Sequence, residues 1–377
     1  MRTGIALRLL RAGAMLAGLA AGAVQAETLG FVLSSFTMVT PGAGPEDCPE
    51  GFNKGYSERF LDSLPASERQ RYAENQGLLY QAQAPWYYEN PEEDPCANPG
   101  AFPDPGMYTI DGPLSLQRME PDGSLSQRSA PPAQCPATDD FTALAEGRAI
   151  DNQYWRVMGC VRGYQPTGQA AAFANSFIFD GSTTMLLEVD MPENGADGPV
   201  ALRIASSDQP VSLGTDGQPL PWRSFNTVAQ ERFHNSATGV REGKVIATGP
   251  FDLRLIRAAQ RLDSELYLRD ARLRLEIDPD SGEASGYLAG YWDLEWLAHA
   301  SIRIQDRTGR SSGKPAADTH GYTCPGKYYA LQRLADGHPD PASGNCTSIS
   351  VLHSLRAVPA FVLDRKSTKP EQADPAQ

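Results

Sequence analysis

Between residue 107 and about residue 291, apolar side chains recur at every second position in several short runs. Leu114 and Leu116, then Val200, Leu202 and Ile204, then Phe251, Leu253 and Leu255, then Leu273, Leu275 and Ile277 alternate with polar or small residues. That is the pattern of strands buried on one face. Asp122-Gly123, Asp180-Gly181 and Asp216-Gly217 stand between such runs and accept the positive φ of tight hairpins. Pro279-Asp280-Ser281-Gly282 reads as a further hairpin turn. Leu266 and Leu268 are out of phase with Leu273, so a bulge or bend is expected near Asp270. Strands at this spacing, joined by turns, predict a mainly β protein with an antiparallel β-sandwich or jelly-roll-like core over residues 106–290.

The flanks lack this alternation. Residues 27–105 read as a loop-rich segment with two short helices, over residues 57–64 and 65–72, the second opening on Pro65. After Gly290 the period becomes helical: Trp292, Trp296, Leu297, Ala300 and Ile304 form one stripe. A second helix over residues 325–336 carries Tyr328, Leu331 and Leu334 and stops at Gly337, and a third spans residues 348–358. These elements predict a helical C-terminal subdomain over residues 291–363, followed by a disordered polar tail over residues 364–377.

The first 26 residues say where the protein works. Arg2, Arg8 and Arg11 precede an apolar run over residues 12–24 that closes on Val24-Gln25-Ala26, a cleavable Sec-type signal peptide over residues 1–26. The run is shorter than the ~20 residues of a bilayer span. No second long apolar segment exists, which predicts a mature chain from Glu27 with no membrane insertion, in the periplasm or outside the cell. In an oxidising compartment the six cysteines, Cys48, Cys96, Cys135, Cys160, Cys324 and Cys346, read as three disulfides. No two stand as CxxC, so no metal or haem site is indicated. Sequence neighbours are the expected partners: Cys48 with Cys96, Cys135 with Cys160, Cys324 with Cys346. The formal charge of −13 makes nucleic acid and anionic lipid poor partners.

Candidate chemistry is sparse. Glu188-Val189-Asp190-Met191-Pro192-Glu193 ends a strand over residues 184–190, and a bulge there would bring Glu188 and Glu193 to one face. Two carboxyls about 5.5 Å apart could serve a retaining glycosidase, with Asp190 tuning the nucleophile. These six residues resemble the active-site strand of jelly-roll glycoside hydrolases of the laminarinase and agarase type. The Trp-Pro-x-x-Gly lead and the downstream His-x-Tyr-x-x-x-Trp of that family are missing, and a solvated strand end is the competing reading. Asp293 and Glu295 lie between Trp292 and Trp296, but on a helix residues two apart do not face each other. The histidines form no His-Glu-x-x-His, and no Gly-x-Ser-x-Gly is present. Asp151, Asn152 and Gln153, beside Cys160, form a polar cluster that either orients a ligand or pins the chain next to a bridge.

The run over residues 150–160, together with Cys48-Pro49-Glu50-Gly51-Phe52-Asn53 and Ala335-Asp336-Gly337-His338-Pro339-Asp340-Pro341, resembles a family of exported bacterial proteins for which no activity is known. The resemblance implies export and no chemistry. The expectation is a non-catalytic binding or structural protein of the bacterial envelope or secretome, without cofactor, partnered by an envelope protein or glycan. The alternative is a secreted glycoside hydrolase using Glu188 and Glu193.

Overall fold

The computed structural model describes residues 27–79, 81–82, 95–96, 98–112, 114–130, 134–136, 149–192, 195–256, 265–299 and 316–364. Thirteen strands fall in this set: β1 (Thr28–Met38), β2 (Leu114–Met119), β3 (Leu125–Ala130), β4 (Thr184–Asp190), β5 (Gly198–Ser207), β6 (Arg223–Asn226), β7 (His234–Glu242), β8 (Val245–Thr248), β9 (Phe251–Ile256), β10 (Glu265–Ile277), β11 (Ala284–Asp293), β12 (Gly337–Pro339) and β13 (Cys346–Leu363). Eight of them pair in the order β1-β4-β5-β7-β8-β10-β11-β13, and β1 pairs again with β13. Every pairing around this ring is antiparallel.

The core is therefore a closed barrel, and the expected sandwich or jelly-roll is wrong. A sandwich keeps sheet edges, whereas each of these eight strands has a neighbour on both sides. The closure is made by two segments whose strand character the sequence conceals. Residues 28–38 were expected in a loop-rich segment, but they form β1 and pair Val32 with Val358 on one side and Leu186 on the other. Residues 348–358 were expected to be helical, yet they lie in β13. Ile349, Val351, His353, Leu355 and Ala357 alternate towards the interior, while Leu352 and Val358 are buried on the opposite face. Burial on both faces erases the polar half of the alternation, which is why a helical spacing fitted equally well.

Trp292 likewise belongs to β11 and not to a helical stripe, pairing with Ile349. The helix after it is short (α5, Leu294–His299), and residues 300–315 lie outside the described set. The helical C-terminal subdomain thus reduces to α5, α6 (Ala316–His320) and α7 (Cys324–Leu334), between strands of the barrel. The expected helices near residues 57–64, 65–72 and 325–336 are present as α1 (Tyr56–Ser63), α2 (Ala66–Glu74) and α7. The phase break in β10 is a bulge: its register slips between Arg269 and Arg272 against β11, and Asp270 takes φ 47°.

Eight strands make a barrel just wide enough for side chains to fill. Phe31, Leu33, Leu187, Leu202, Leu273, Leu288 and Val351 all belong to one buried cluster. His353 lies among them, stacked on Phe36 with ring centroids 4.5 Å apart. The cluster continues past Trp292 into α3 (Gln153–Met158) and α7, which cap one end; the Tyr154 ring lies 5.6 Å from that of Trp292.

The chain between β1 and β4, residues 39–183, is a long excursion that carries α1, α2, the β2–β3 hairpin, α3 and α4 (Gln169–Phe179). The disulfides hold it down, with pairings that correct the expected ones: Cys48–Cys160, Cys96–Cys324 and Cys135–Cys346. None joins sequence neighbours, because the bridges answer to the barrel's closure. Two of them tie the excursion to α7 and to the start of β13. Their separations of 112, 228 and 211 residues are long enough that each, taken singly, restricts the unfolded chain by roughly 5 kcal/mol in the chain-entropy account.

His320, at the end of α6, is packed among Tyr164, Phe173 and Tyr322. A Cβ on Gly163 would lie 2.7 Å from His320 Nδ1, so only glycine fits opposite it. Burial lowers the pKa of His320 to about 4, and the charge of Lys327 acts in the same direction. The unfolded chain takes up this proton below about pH 6.5 and the folded protein does not, so stability should fall as pH drops from about 6.5 to 4. The loss reaches roughly 3 kcal/mol. Replacing His320 by Phe should flatten the denaturation midpoint over that interval; an unchanged slope would mean that His320 is already protonated in the folded protein.

Candidate functional site

A continuous set of polar contacts runs along the outer wall of the barrel, where β10, β11, β12 and β13 meet. Ser348 and Ser350 lie on the outer face of β13, opposite Asp293 and Tyr291 of β11. β12 adds one more strand, pairing Gly337 with Ser348. The β10 bulge and the β12 turn then face each other. His338 Nδ1 lies 2.7 Å from Ser348 Oγ, and His338 Nε2 lies 3.0 Å from Asp270 Oδ2. Asp270 and His338, at φ 47° and 51°, are two of the three described non-glycine residues with positive φ. Such conformations persist only where surrounding contacts impose them.

The network continues inward. Asp336 accepts the Ser350 amide and hydroxyl, each at 2.7 Å, and the Ser350 hydroxyl accepts the backbone N–H of Gln153 at 3.1 Å. On the other flank, Arg269 pairs with Asp293 at 3.1 Å and donates to the Thr347 hydroxyl, which in turn donates to the His338 carbonyl. The hydrogen bond from His338 holds the Asp270 carboxyl below its ordinary pKa, against the opposing effect of burial.

Asp270, His338 and Ser348 have the composition of a hydrolase triad, but the geometry withholds its chemistry. Ser348 is fully buried. It sits in the middle of a three-strand ladder, with its carbonyl accepting the Asp336 N–H. A strand-embedded serine has no adjacent free N–H groups to receive an oxyanion. What the arrangement does is latch the β12 turn onto the β10 bulge through a single imidazole.

The polar residues singled out from the sequence fall as follows. Asn152 is buried and ties the residue that follows β1 to β13, donating to the Val39 carbonyl at 2.8 Å and accepting from the Leu352 N–H at 3.2 Å. Gln153 is fully buried; neither its amide nitrogen nor its amide oxygen has a hydrogen-bond partner among the described residues. Asp151 faces Arg118 at 3.7 Å. Glu188 points outward from β4 and pairs with Arg203 at 3.0 Å; burial pushes its pKa up and Arg203 opposes the shift. Asp190 accepts from the Thr28 hydroxyl at 2.6 Å. Glu193 lies outside the described residues, so the distance between the two carboxyls is not defined.

Sequence reasoning missed Asp270, His338 and Ser348 as a group. The phase break at Asp270 was the one available signal, because the contact with His338 spans 68 residues. Residues 48–53, 150–160 and 335–341 are brought into contact across the fold. Cys48 is bonded to Cys160, Asn53 donates to the Tyr108 and Cys160 carbonyls, and Asp336 joins Gln153 through Ser350.

Comparison of the chain with protein-family models, with curated proteins and with solved structures finds no match in any of the three.

Replacing His338 by Ala removes both latch bonds and leaves two buried or half-buried polar groups unpartnered. The variant should lose roughly 1–3 kcal/mol at neutral pH. The lowered pKa of Asp270 contributes stability above the ordinary carboxylate range, and that contribution disappears as pH falls through the lowered value. The deficit of the variant should therefore shrink near pH 3. Chemical denaturation at pH 7 and pH 3 measures both, and a variant as stable as the parent at pH 7 would rule the latch out.

Proposed function

We propose that the chain is an exported, disulfide-stabilised, non-catalytic binding or structural protein of a bacterial envelope or secretome, meeting an envelope protein or glycan through its outer surface and using no cofactor. The observation that carries this reading is the three long-range disulfides, which use all six cysteines and leave none free. Such bridges persist in oxidising compartments and are kept reduced in the cytosol. The leader-like residues 1–26 support export on sequence alone. No helix among the described residues is long and apolar enough to cross a membrane.

The packed barrel interior favours a surface ligand over an enclosed one. Recognition by the outer face is the remaining route, and the excursion over residues 39–183 covers part of that face. Glu188 is paired with Arg203 at 3.0 Å, and the carboxyl separation on which a glycosidase reading depends is not defined because Glu193 lies outside the described residues.

Intact and non-reduced peptide mass spectrometry of protein recovered from its native host tests the proposal. The expected result is a mature N-terminus at Glu27, six hydrogens fewer than the reduced form, and cross-linked peptides joining Cys48 to Cys160, Cys96 to Cys324 and Cys135 to Cys346. Retained Met1 with free thiols would overturn export.

A further inference from the structure

The last residues of β13 leave the barrel ring and run across its outer wall with β6 alongside, the one parallel pairing of the described sheet. Val358 and Ala360 face the wall and pack with Val32, Leu186 and Phe225, with Val362 packed against this cluster. The alternate positions face away. Phe361 and Leu363 are exposed, and Trp222, just ahead of β6, is 59% exposed with its ring centroid 5.9 Å from that of Phe361. Leu213 and Leu220, on the hairpin that leads into Trp222, are exposed as well. Five of the eight large apolar side chains exposed among the described residues thus lie on this one hairpin and the strand end beside it. Scattered exposed hydrophobes need no explanation, but a concentration of this kind marks an interaction surface.

Trp222 is also held there against its preference. Its φ of 60° is an outlier for a bulky side chain, and its N–H is fastened to the Pro359 carbonyl at 2.6 Å. Strain kept at an aromatic residue so largely exposed fits a ligand contact better than a packing need.

The rim decides what chemistry suits the surface. Asp364 accepts from Arg203 at 2.5 Å, and Arg203 also pairs with Glu188. This carboxylate–guanidinium–carboxylate group offers donors and acceptors while partly cancelling its own charge. Glu188 and Asp364 leave this group with one negative charge in excess of Arg203, and the chain's formal charge of −13 likewise opposes an anionic lipid surface. A neutral polysaccharide matches both halves: the C–H face of a pyranose ring is apolar and weakly positive and lies well on the negative face of an aromatic ring, and its hydroxyls suit paired carboxylates and guanidinium. We propose that Trp222 and Phe361, with Leu363 beside them and the Arg203 cluster at the rim, form a docking platform for an uncharged glycan. The proposal rests on the binding reading above and names the partner class for it.

Titration of the purified, oxidised full-length protein with soluble β-1,3-glucan, galactan and chito-oligosaccharides, followed by tryptophan fluorescence and affinity electrophoresis, tests the platform. At least one of these glycans is expected to bind, at least tenfold more weakly in Trp222→Ala and in Phe361→Ser. Trp296→Ala, at an exposed tryptophan elsewhere, should bind as the parent does. No binding to any of the three, or binding that both platform variants retain, would overturn the proposal. So would a concentration-dependent dimer, or association with zwitterionic vesicles, that Trp222→Ala abolishes, because either assigns the face to another occupant. Export and disulfide mapping are measured independently, so loss of the glycan platform leaves that reading standing.

Discussion

Everything else in this protein depends on the pairing of its first and last strands. β1 and β13 are more than 300 residues apart, yet they pair from Phe31 with Pro359 to Met38 with His353. Without that ladder the same eight strands would form an open meander with β1 and β13 as two long edges, each a template for pairing with another chain. With it, the interior becomes a sealed apolar core. The entropic cost of bringing such distant segments together is large in the unfolded chain. The disulfides offset it, since Cys96–Cys324 and Cys135–Cys346 tether the first half of the chain to α7 and to the first residue of β13.

The same closure produces the polar sites. Because β12 folds back on the start of β13, His338 is delivered to the bulge in β10. Because α3 caps that end of the barrel, Asn152 can reach Val39 and Leu352, one residue at each side of the ring's seam. A buried side chain that ties the chain just past one closing strand to the other by hydrogen bonds is a fastener, and the His338 latch is a second one a short distance along the same strand. At its far end β13 overruns the ring and lies on the outer wall, which turns Phe361 and Leu363 outward. Core, fasteners and exposed platform are consequences of one long strand.

The sequence made visible those features that leave a local trace. Alternation located β5, β9 and most of β10, the Leu268-to-Leu273 phase break located the bulge, and Pro279 to Gly282 located the β10–β11 turn, where Gly282 has φ 72°. The cysteine count and the short leader suggested a disulfide-bonded exported chain. What stayed hidden was every feature set by long-range contact. β13 is buried on both faces, so its period is masked; β1 sits between Leu186 and Val358, which nothing nearby in sequence announces. Disulfide partners cannot be chosen from spacing when the segments are brought together by barrel closure. The polar cluster at Asp151, Asn152 and Gln153 could be seen, but its partners Asp336 and Ser350 could not. The exposed pair Trp222 and Phe361 is likewise a contact between distant segments.

The ladder between β1 and β13 can be measured directly by amide hydrogen exchange of the oxidised protein. If the barrel is closed, the amides over residues 31–33 that point along the sheet at β13 should be as strongly protected as those at the centre of the β10–β11 pair, because they open only with global unfolding. Exchange of residues 31–33 within minutes, while β10 and β11 remain protected, would show an open sheet and contradict the account.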